Sequence, residues 1–288
     1  MKNTPPLLSV VIPVFNCADF LNETIESVFL SSYKSFELIL VNDGSVDRSL
    51  EICLDWKNLY PDQIRVIHQR NQGPSVARNH GIENANGKYI LPLDADDKIH
   101  SDYMSEAIDF LEKNPDTKLV YCLAEKFGIK QGPWNLKSFS LSNLALDNMI
   151  FVSGVYRKKD WEKTGGYDPR FLWGWEDWEF WINFLKNGGK VYRLPFVGFY
   201  YRTRKGSRRK STDKKGKELT ICLLNKKHPE FFERYLNGPL RNPRGSSIYI
   251  NRIQNFILWI NTLILKKGEI EGRKKRVPNF QNSGILKR

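Results

Sequence analysis

Short apolar runs alternate with amphipathic stretches through the first two thirds of the chain. Leu7 to Phe15 is almost wholly apolar and reads as a buried strand that exits at Pro13. Ala18 to Leu30 places Phe20, Leu21, Ile25, Val28 and Phe29 at helical spacing. Phe36 to Val41 is a second strand, closed by Asn42-Asp43-Gly44-Ser45. Ser45 or Asp47 can cap a helix over Ser49 to Leu59, and Ile64 to Ile67 is a third strand. After the turn Asn71-Gln72-Gly73-Pro74, Ser75 to Asn84 reads as a helix and Tyr89 to Leu93 as a fourth strand. Strands alternating with helices at this spacing predict an α/β fold with a doubly wound, mainly parallel sheet flanked by helices.

The middle is less regular. Tyr103 to Lys113 predicts a helix and Lys118 to Glu125 a strand, while Asn143 to Met149 takes no clear form. Trp175 to Asn187 predicts a helix stopped by Gly188-Gly189. Lys190 to Leu194 and Val197 to Arg202 read as two short strands. Beyond Arg202 a basic loop gives way to helices. There, Tyr249, Ile253, Phe256, Ile257, Ile260, Leu263 and Ile264 share one helical face that suits either an in-plane membrane helix or a helix packed on a protein surface. Arg273 to Arg288 reads as disordered.

Composition sharpens this division. The 288 residues carry a net charge of +13, but Arg202 to Arg288 holds 23 basic and 6 acidic residues, a net of +17, which leaves the first 201 residues at −4. A basic appendage on a mildly acidic core argues against a nucleic-acid-binding core and for a tail that faces an anionic surface. The four cysteines, Cys17, Cys53, Cys122 and Cys222, lack zinc or disulfide spacing and read as free thiols in a reducing compartment. The opening residues do not resemble a signal peptide, and no apolar run approaches bilayer length. These features predict a cytoplasmic protein.

The chemistry concentrates at strand ends. Leu91 to Asp97 sets Asp94, Asp96 and Asp97 directly behind an apolar run, where open α/β sheets bind ligands. Two aspartates one residue apart can share a hard cation, and that cation can hold a diphosphate; a polar turn is the alternative. Further special residues close other elements: Pro13-Val14-Phe15-Asn16, Asn42 to Asp47, Asn71 to Asn79, Gly165-Gly166-Tyr167-Asp168, and Gly174-Trp175-Glu176-Asp177-Trp178. In this order and spacing the set closely resembles glycosyltransferase family 2, over about Leu8 to Arg202.

The resemblance implies a GT-A type nucleotide-sugar fold. It divides the chain into a catalytic domain at 1–203, with a nucleotide-binding half at 1–97 and an acceptor half at 98–203, and a basic helical extension at 204–288. It implies that Asp43 accepts a hydrogen bond from uracil, beside Pro13, Phe15, Asn16 and Gly73, although the family more often has Tyr where Phe15 stands. Core packing explains Phe15 nearly as well. Arg78 encloses the base and pyrophosphate side in the family; a buried arginine paired with a strand-end aspartate is the structural alternative. Asp94-Ala95-Asp96 matches the family's Asp-x-Asp element, with Asp94 near ribose and metal and Asp96 on Mn²⁺ or Mg²⁺. Asp177 is the expected catalytic base of an inverting transfer, with Glu176 its competitor; adjacent helical positions point about 100° apart, so only one should face the pocket. Trp175 is expected to line the acceptor side, Gly166 to approach the donor sugar, and Arg202 or Arg204 to reach the diphosphate, with Ser207 of open role. The implied partners are a UDP-sugar donor, a glycan or lipid-linked acceptor and an anionic membrane surface, placing the protein at the inner face of the plasma membrane. A nucleotidyltransferase is the enzymatic rival. An inactive transferase domain on a membrane- or polymer-binding protein is the other.

Overall fold

The computed structural model describes residues 7–205, 213–243 and 248–274, with side chains described as far as residue 262 in the last segment. Ser207 and residues 275–288 lie outside the described residues.

Four parallel strands form the first half of one sheet. β1 (Leu8–Val14) pairs with β2 (Phe36–Asp43) on one side and β4 (Tyr89–Pro92) on the other, and β3 (Ile64–Gln69) pairs with the outer edge of β2. β2 is buried along its whole length, as befits a central parallel strand, with Glu37, Asn42 and Asp43 buried beside its apolar run Leu38 to Val41. Helices α1 (Ala18–Phe29), α2 (Ser49–Leu59) and α3 (Pro74–Glu83) cross between these strands. α1 buries Leu21, Ile25 and Val28, one face of the predicted helix. α3 sits closer to the sheet at Gly81, where a Cβ would lie 2.4 Å from a Val11 methyl.

The second half is mixed. β5 (Lys98–Ile99), α4 (Tyr103–Lys113), β6 (Thr117–Gly128), β7 (Gly132–Pro133), α5 (Leu141–Leu146), β8 (Val155–Arg157), α6 (Lys158–Glu162), α7 (Glu176–Leu185) and β9 (Lys190–Thr203) follow in order. The sheet runs β3-β2-β1-β4-β8-β6-β9-β5, with β7 beside β6. β8 is antiparallel to both neighbours, whereas β6 and β9 are parallel. The sheet is therefore mixed and mostly parallel with flanking helices, as the alternating pattern predicts.

Two local readings change. The two short strands expected over 190–202 form one strand, β9, because the register against β6 shifts between Tyr121 and Leu123, opposite Arg193 to Val197. That irregularity accommodates Pro195, whose missing N–H would otherwise break the ladder. Asn143 to Met149 takes no clear form in the sequence, yet its first half belongs to helix α5 (Leu141–Leu146), capped by the Ser140 hydroxyl accepting from the Asn143 N–H at 3.0 Å.

Asp47 lies just before α2 rather than at its cap. One carboxylate oxygen accepts from the Ser49 N–H and the other from the Ala18 N–H, both at 3.0 Å, so it joins the starts of two helices. Beyond β9 come α8 (Lys214–Lys227), α9 (Pro229–Leu236) and α10 (Ile248–Lys274). Two buried carboxylates fasten the end of α8 to the sheet domain: Lys227 lies 2.9 Å from both Asp168 and Glu179, and the His228 ring shares a 2.8 Å hydrogen bond with Glu179. No helix among the described residues is long and apolar enough to cross a membrane. Cys17, Cys53 and Cys122 are buried free thiols, and Cys222 is an exposed one.

Candidate active site

The chain reverses its direction of winding between β1 and β4, and the crevice outside the C-terminal ends of those strands is the main cleft. Its volume is about 940 Å³. Pro13 and Phe15 from the end of β1, Asp43 from β2, Gly73 and Arg78 from the start of α3, and Asp94, Ala95 and Asp96 from the end of β4 all line it. So do Trp175, Glu176 and Asp177 at the start of α7 and Arg202 and Arg204 at the end of β9. Acidic groups more than eighty positions apart in the sequence thus share one hollow.

Asp43 is nearly enclosed by donors. Its Oδ1 accepts from the Gln69 side-chain amide at 2.8 Å and the Gln72 N–H at 2.9 Å, and its Oδ2 accepts from the Gly73 N–H at 2.8 Å. The carboxylate therefore shapes the loop that opens α3, and Gly73, at φ +86°, supplies the turn that aims that N–H. An ionised carboxylate offers about four acceptor positions, so one remains on Asp43. Phe15 is 48% exposed, so core packing does not account for it.

Arg78 is the hub between the two halves of the cleft. Its buried guanidinium donates to Asp94 at 2.6 Å and to Glu176 at 3.0 Å, above the Tyr167 ring. Burial alone would weaken its hold on the proton, but the two carboxylates outweigh it and raise its pKa above the usual range.

Glu176 and Asp177 both line the cleft, contrary to the expectation that only one would. Trp175 sits before them in the left-handed region, at φ +64°, and this kink presents the first turn of α7 end-on. Glu176 is buried and faces Arg78, whereas Asp177 is only partly buried and accepts from the Asn148 amide at 2.8 Å and from the Trp178 N–H at 2.8 Å. Burial, then the nearby charge of Glu176, pushes the Asp177 carboxyl up to about 7, against the pull of Arg78.

Asp96 accepts from Arg204 Nε at 2.6 Å; burial and the neighbouring Asp94 raise its pKa. Arg202 donates to the Asp96 carbonyl at 2.7 Å and pairs with Glu23, while its N–H is held by buried Asp97 at 2.7 Å. The described residues contain no group of three or more His, Cys, Asp or Glu side chains that could hold a metal alone. Asp94 and Asp96 still fit Mg²⁺ or Mn²⁺, which are commonly held by one or two carboxylates plus substrate phosphates.

Two predicted residues stand away from the cleft. Gly166 packs on Asn79, where a Cβ would lie 2.6 Å from the amide oxygen, and this close approach accompanies the two bonds between the Asn79 side chain and the Tyr167 backbone. Asn16 accepts from the Val46 N–H at 2.9 Å and braces two loops. Sequence reasoning missed Asn148, Trp134, Tyr201 and Lys217, which also line the cleft. Asn148 follows a short helix with no legible pattern, and nothing in its neighbourhood distinguishes it from a loop asparagine. None of the four histidines lines the cleft.

The sequence model of Glycosyl transferase family 2 matches residues 9–211, most of the chain. The chain belongs to that family. It is 30% identical over 213 residues to the minor teichoic acid biosynthesis protein GgaA of Bacillus subtilis, covering 69% of this chain and 48% of that protein. It spans about half or less of the length of the first curated relatives it matches. Staphylococcus aureus TarS, solved in complex with UDP-GlcNAc, superposes with a TM-score of 0.65 at 19% identity, over 80% of this chain and 71% of that one. The mannosyltransferase PcManGT of Pyrobaculum calidifontis, solved with GDP-Man and Mn²⁺, gives a TM-score of 0.60 at 18% identity, over 82% and 69%. These likenesses establish the GT-A fold.

Proposed function

We propose that this family 2 member is an inverting glycosyltransferase that moves a sugar from a UDP-linked donor to a hydroxyl of a glycan or lipid-linked glycan, with Mn²⁺ or Mg²⁺. The observation that carries this reading is the shared cleft, which Asp94, Asp96 and Asp177 all line and in which Arg78 ties Asp94 to Glu176, the neighbour of Asp177.

Asp43 has one acceptor position left for a uracil N–H, and Phe15 offers a half-exposed ring beside it. Arg202 and Arg204 end β9 at the rim, with guanidinium groups suited to phosphate oxygens. Asp94 and Asp96 are the residues that would hold the cation, whose chemistry when bound is Lewis-acid neutralisation of the leaving diphosphate. Asp177 takes the proton of the acceptor hydroxyl. Its raised pKa makes it a stronger base than an ordinary aspartate while leaving much of it ionised near neutrality. Attack from the Asp177 side, opposite the diphosphate, inverts the anomeric centre. TarS with UDP-GlcNAc and PcManGT with GDP-Man and Mn²⁺ lend the donor class and the cation support.

A nucleotidyltransferase would need a glycine- and lysine-rich loop after β1 for a triphosphate, and Pro13 to Asn16 offers neither. The test is calorimetry of UDP with and without Mn²⁺, beside a panel of nucleotide sugars. Asp96→Ala is expected to abolish the Mn²⁺-dependent part of donor binding. Asp177→Asn is expected to keep donor binding and slow transfer by about 10²- to 10⁴-fold. Wild-type turnover by Asp177→Asn would remove it from the mechanism, and absence of any metal-dependent UDP binding would favour a domain without transferase activity.

A further inference from the structure

α10 holds the rest of the molecule by its polar side. Asn251 is buried: its amide donates to the Leu236 and Pro239 carbonyls at 2.9 and 3.2 Å, and its oxygen accepts from Arg241 Nε at 2.9 Å. One turn on, the Asn255 amide donates to the Asn237 carbonyl at 3.0 Å. These bonds satisfy carbonyls left open at the end of α9, where Asn237 adopts the left-handed region.

Tyr249, Ile253, Phe256 and Ile257 lie at i, i+4, i+7 and i+8, on a stripe turned away from the asparagines. All four are at least half exposed, and Phe256 stacks on exposed Trp259 with ring centroids 5.8 Å apart. A helix that packs on its own domain turns its apolar stripe inward. The stripe here faces away from α9, so packing on the catalytic domain does not account for it, and Leu258 on the asparagines' side is exposed as well. A contiguous exposed apolar face marks an interaction site.

We propose that this face of α10 seats the protein in the interfacial plane of an anionic lipid bilayer. Charge decides between a membrane and a second copy of the chain. Residues 202–288 carry a net +17; Arg252 flanks the stripe, and Lys266 and Lys267 follow it in sequence. A second copy would bring the same positive field against itself, whereas an anionic leaflet offers an apolar layer beneath a negative surface. Tyr249 and Trp259 have the amphipathic rings favoured at headgroup depth. The helix lies flat and does not span, because Arg252, Asn255, Asn261 and Thr262 interrupt its circumference. This inference is independent of the donor reading, since lipid binding is measured without nucleotide.

The experiment is co-sedimentation of the full chain with phosphatidylcholine vesicles, with and without phosphatidylglycerol, beside light scattering of the free protein. The wild type is expected to be monomeric and to bind only the phosphatidylglycerol vesicles, less tightly as salt rises. Phe256→Glu/Ile257→Glu should weaken that binding at least about tenfold, with UDP affinity and melting temperature unchanged. Lys266→Glu/Lys267→Glu, which leaves the stripe intact, should weaken it as well. Equal binding to neutral vesicles, retention of binding by the Phe256→Glu/Ile257→Glu variant, or a wild-type dimer that this variant dissociates would each overturn the proposal; the last would assign the face to a second copy.

Discussion

Replacing Arg78 by Met keeps most of the stem's volume and deletes the charge. In the native cleft Arg78 is 3% exposed and Glu176 4%, so Glu176 would remain buried, with Asp94 and Asp177 nearby and without this cation. Breaking a buried pair by removing one partner costs about 3–5 kcal/mol, chiefly because the surviving charge is uncompensated. Asp94 is about one third exposed and can be rehydrated, so most of the loss falls on Glu176. At roughly 2–4 °C per kcal/mol for a chain of about this size, Arg78→Met should lower the melting temperature by roughly 10 °C. Glu176→Gln removes the negative charge with nearly the same shape. The double variant should therefore be more stable than the sum of the single losses, with a coupling on the order of 2 kcal/mol. Urea unfolding of the four proteins in this cycle measures it, provided the denaturant slopes agree. A loss for Arg78→Met under about 1 kcal/mol, or a coupling near zero, would refute the view that Arg78 is the electrostatic hub of the site.

Asp177 gives a pH prediction whose sign follows from its raised pKa. Transfer needs the ionised form, so the rate should fall about tenfold per pH unit below about 7 and level off above it, and Asp177→Asn should lack this limb. A pKa raised by folding means the stabilising form is the protonated one; that contribution is lost as pH rises through about 7, so Asp177→Asn should melt higher than the wild type at alkaline pH. Gly166→Ala puts a Cβ 2.6 Å from the Asn79 amide oxygen at φ +78°, and urea unfolding should show a loss on the order of 1–3 kcal/mol. Lys227→Met leaves Glu179 buried beside His228 and should lower stability by about 3 kcal/mol in thermal melts; an unchanged melting temperature would mean that the salt bridges holding α8 are unimportant.

Much of this molecule is local in origin and was therefore readable along the chain. The runs at Leu8–Val14, Phe36–Asp43 and Tyr89–Pro92 are strands because each is too short and too apolar for a surface helix, and their alternation with α1, α2 and α3 forces parallel crossovers. The acidic groups at Asp43 and at Asp94 to Asp97 were legible for the same reason: polar residues directly behind a buried strand mark the open end of the sheet. Pairing across long sequence distances left no local mark. The pairing of a buried Arg78 with a strand-end aspartate was foreseen, but that it also reaches Glu176, that Asn148 orients Asp177, and that Gly166 packs on Asn79 are products of how α3, α5 and α7 meet around the switch point. The periodicity of α10 announced an apolar stripe, but a repeat along a helix is the same whichever way the helix is turned. Only the bonds from Asn251 and Asn255 to the end of α9 fixed the rotation that leaves the stripe facing outward.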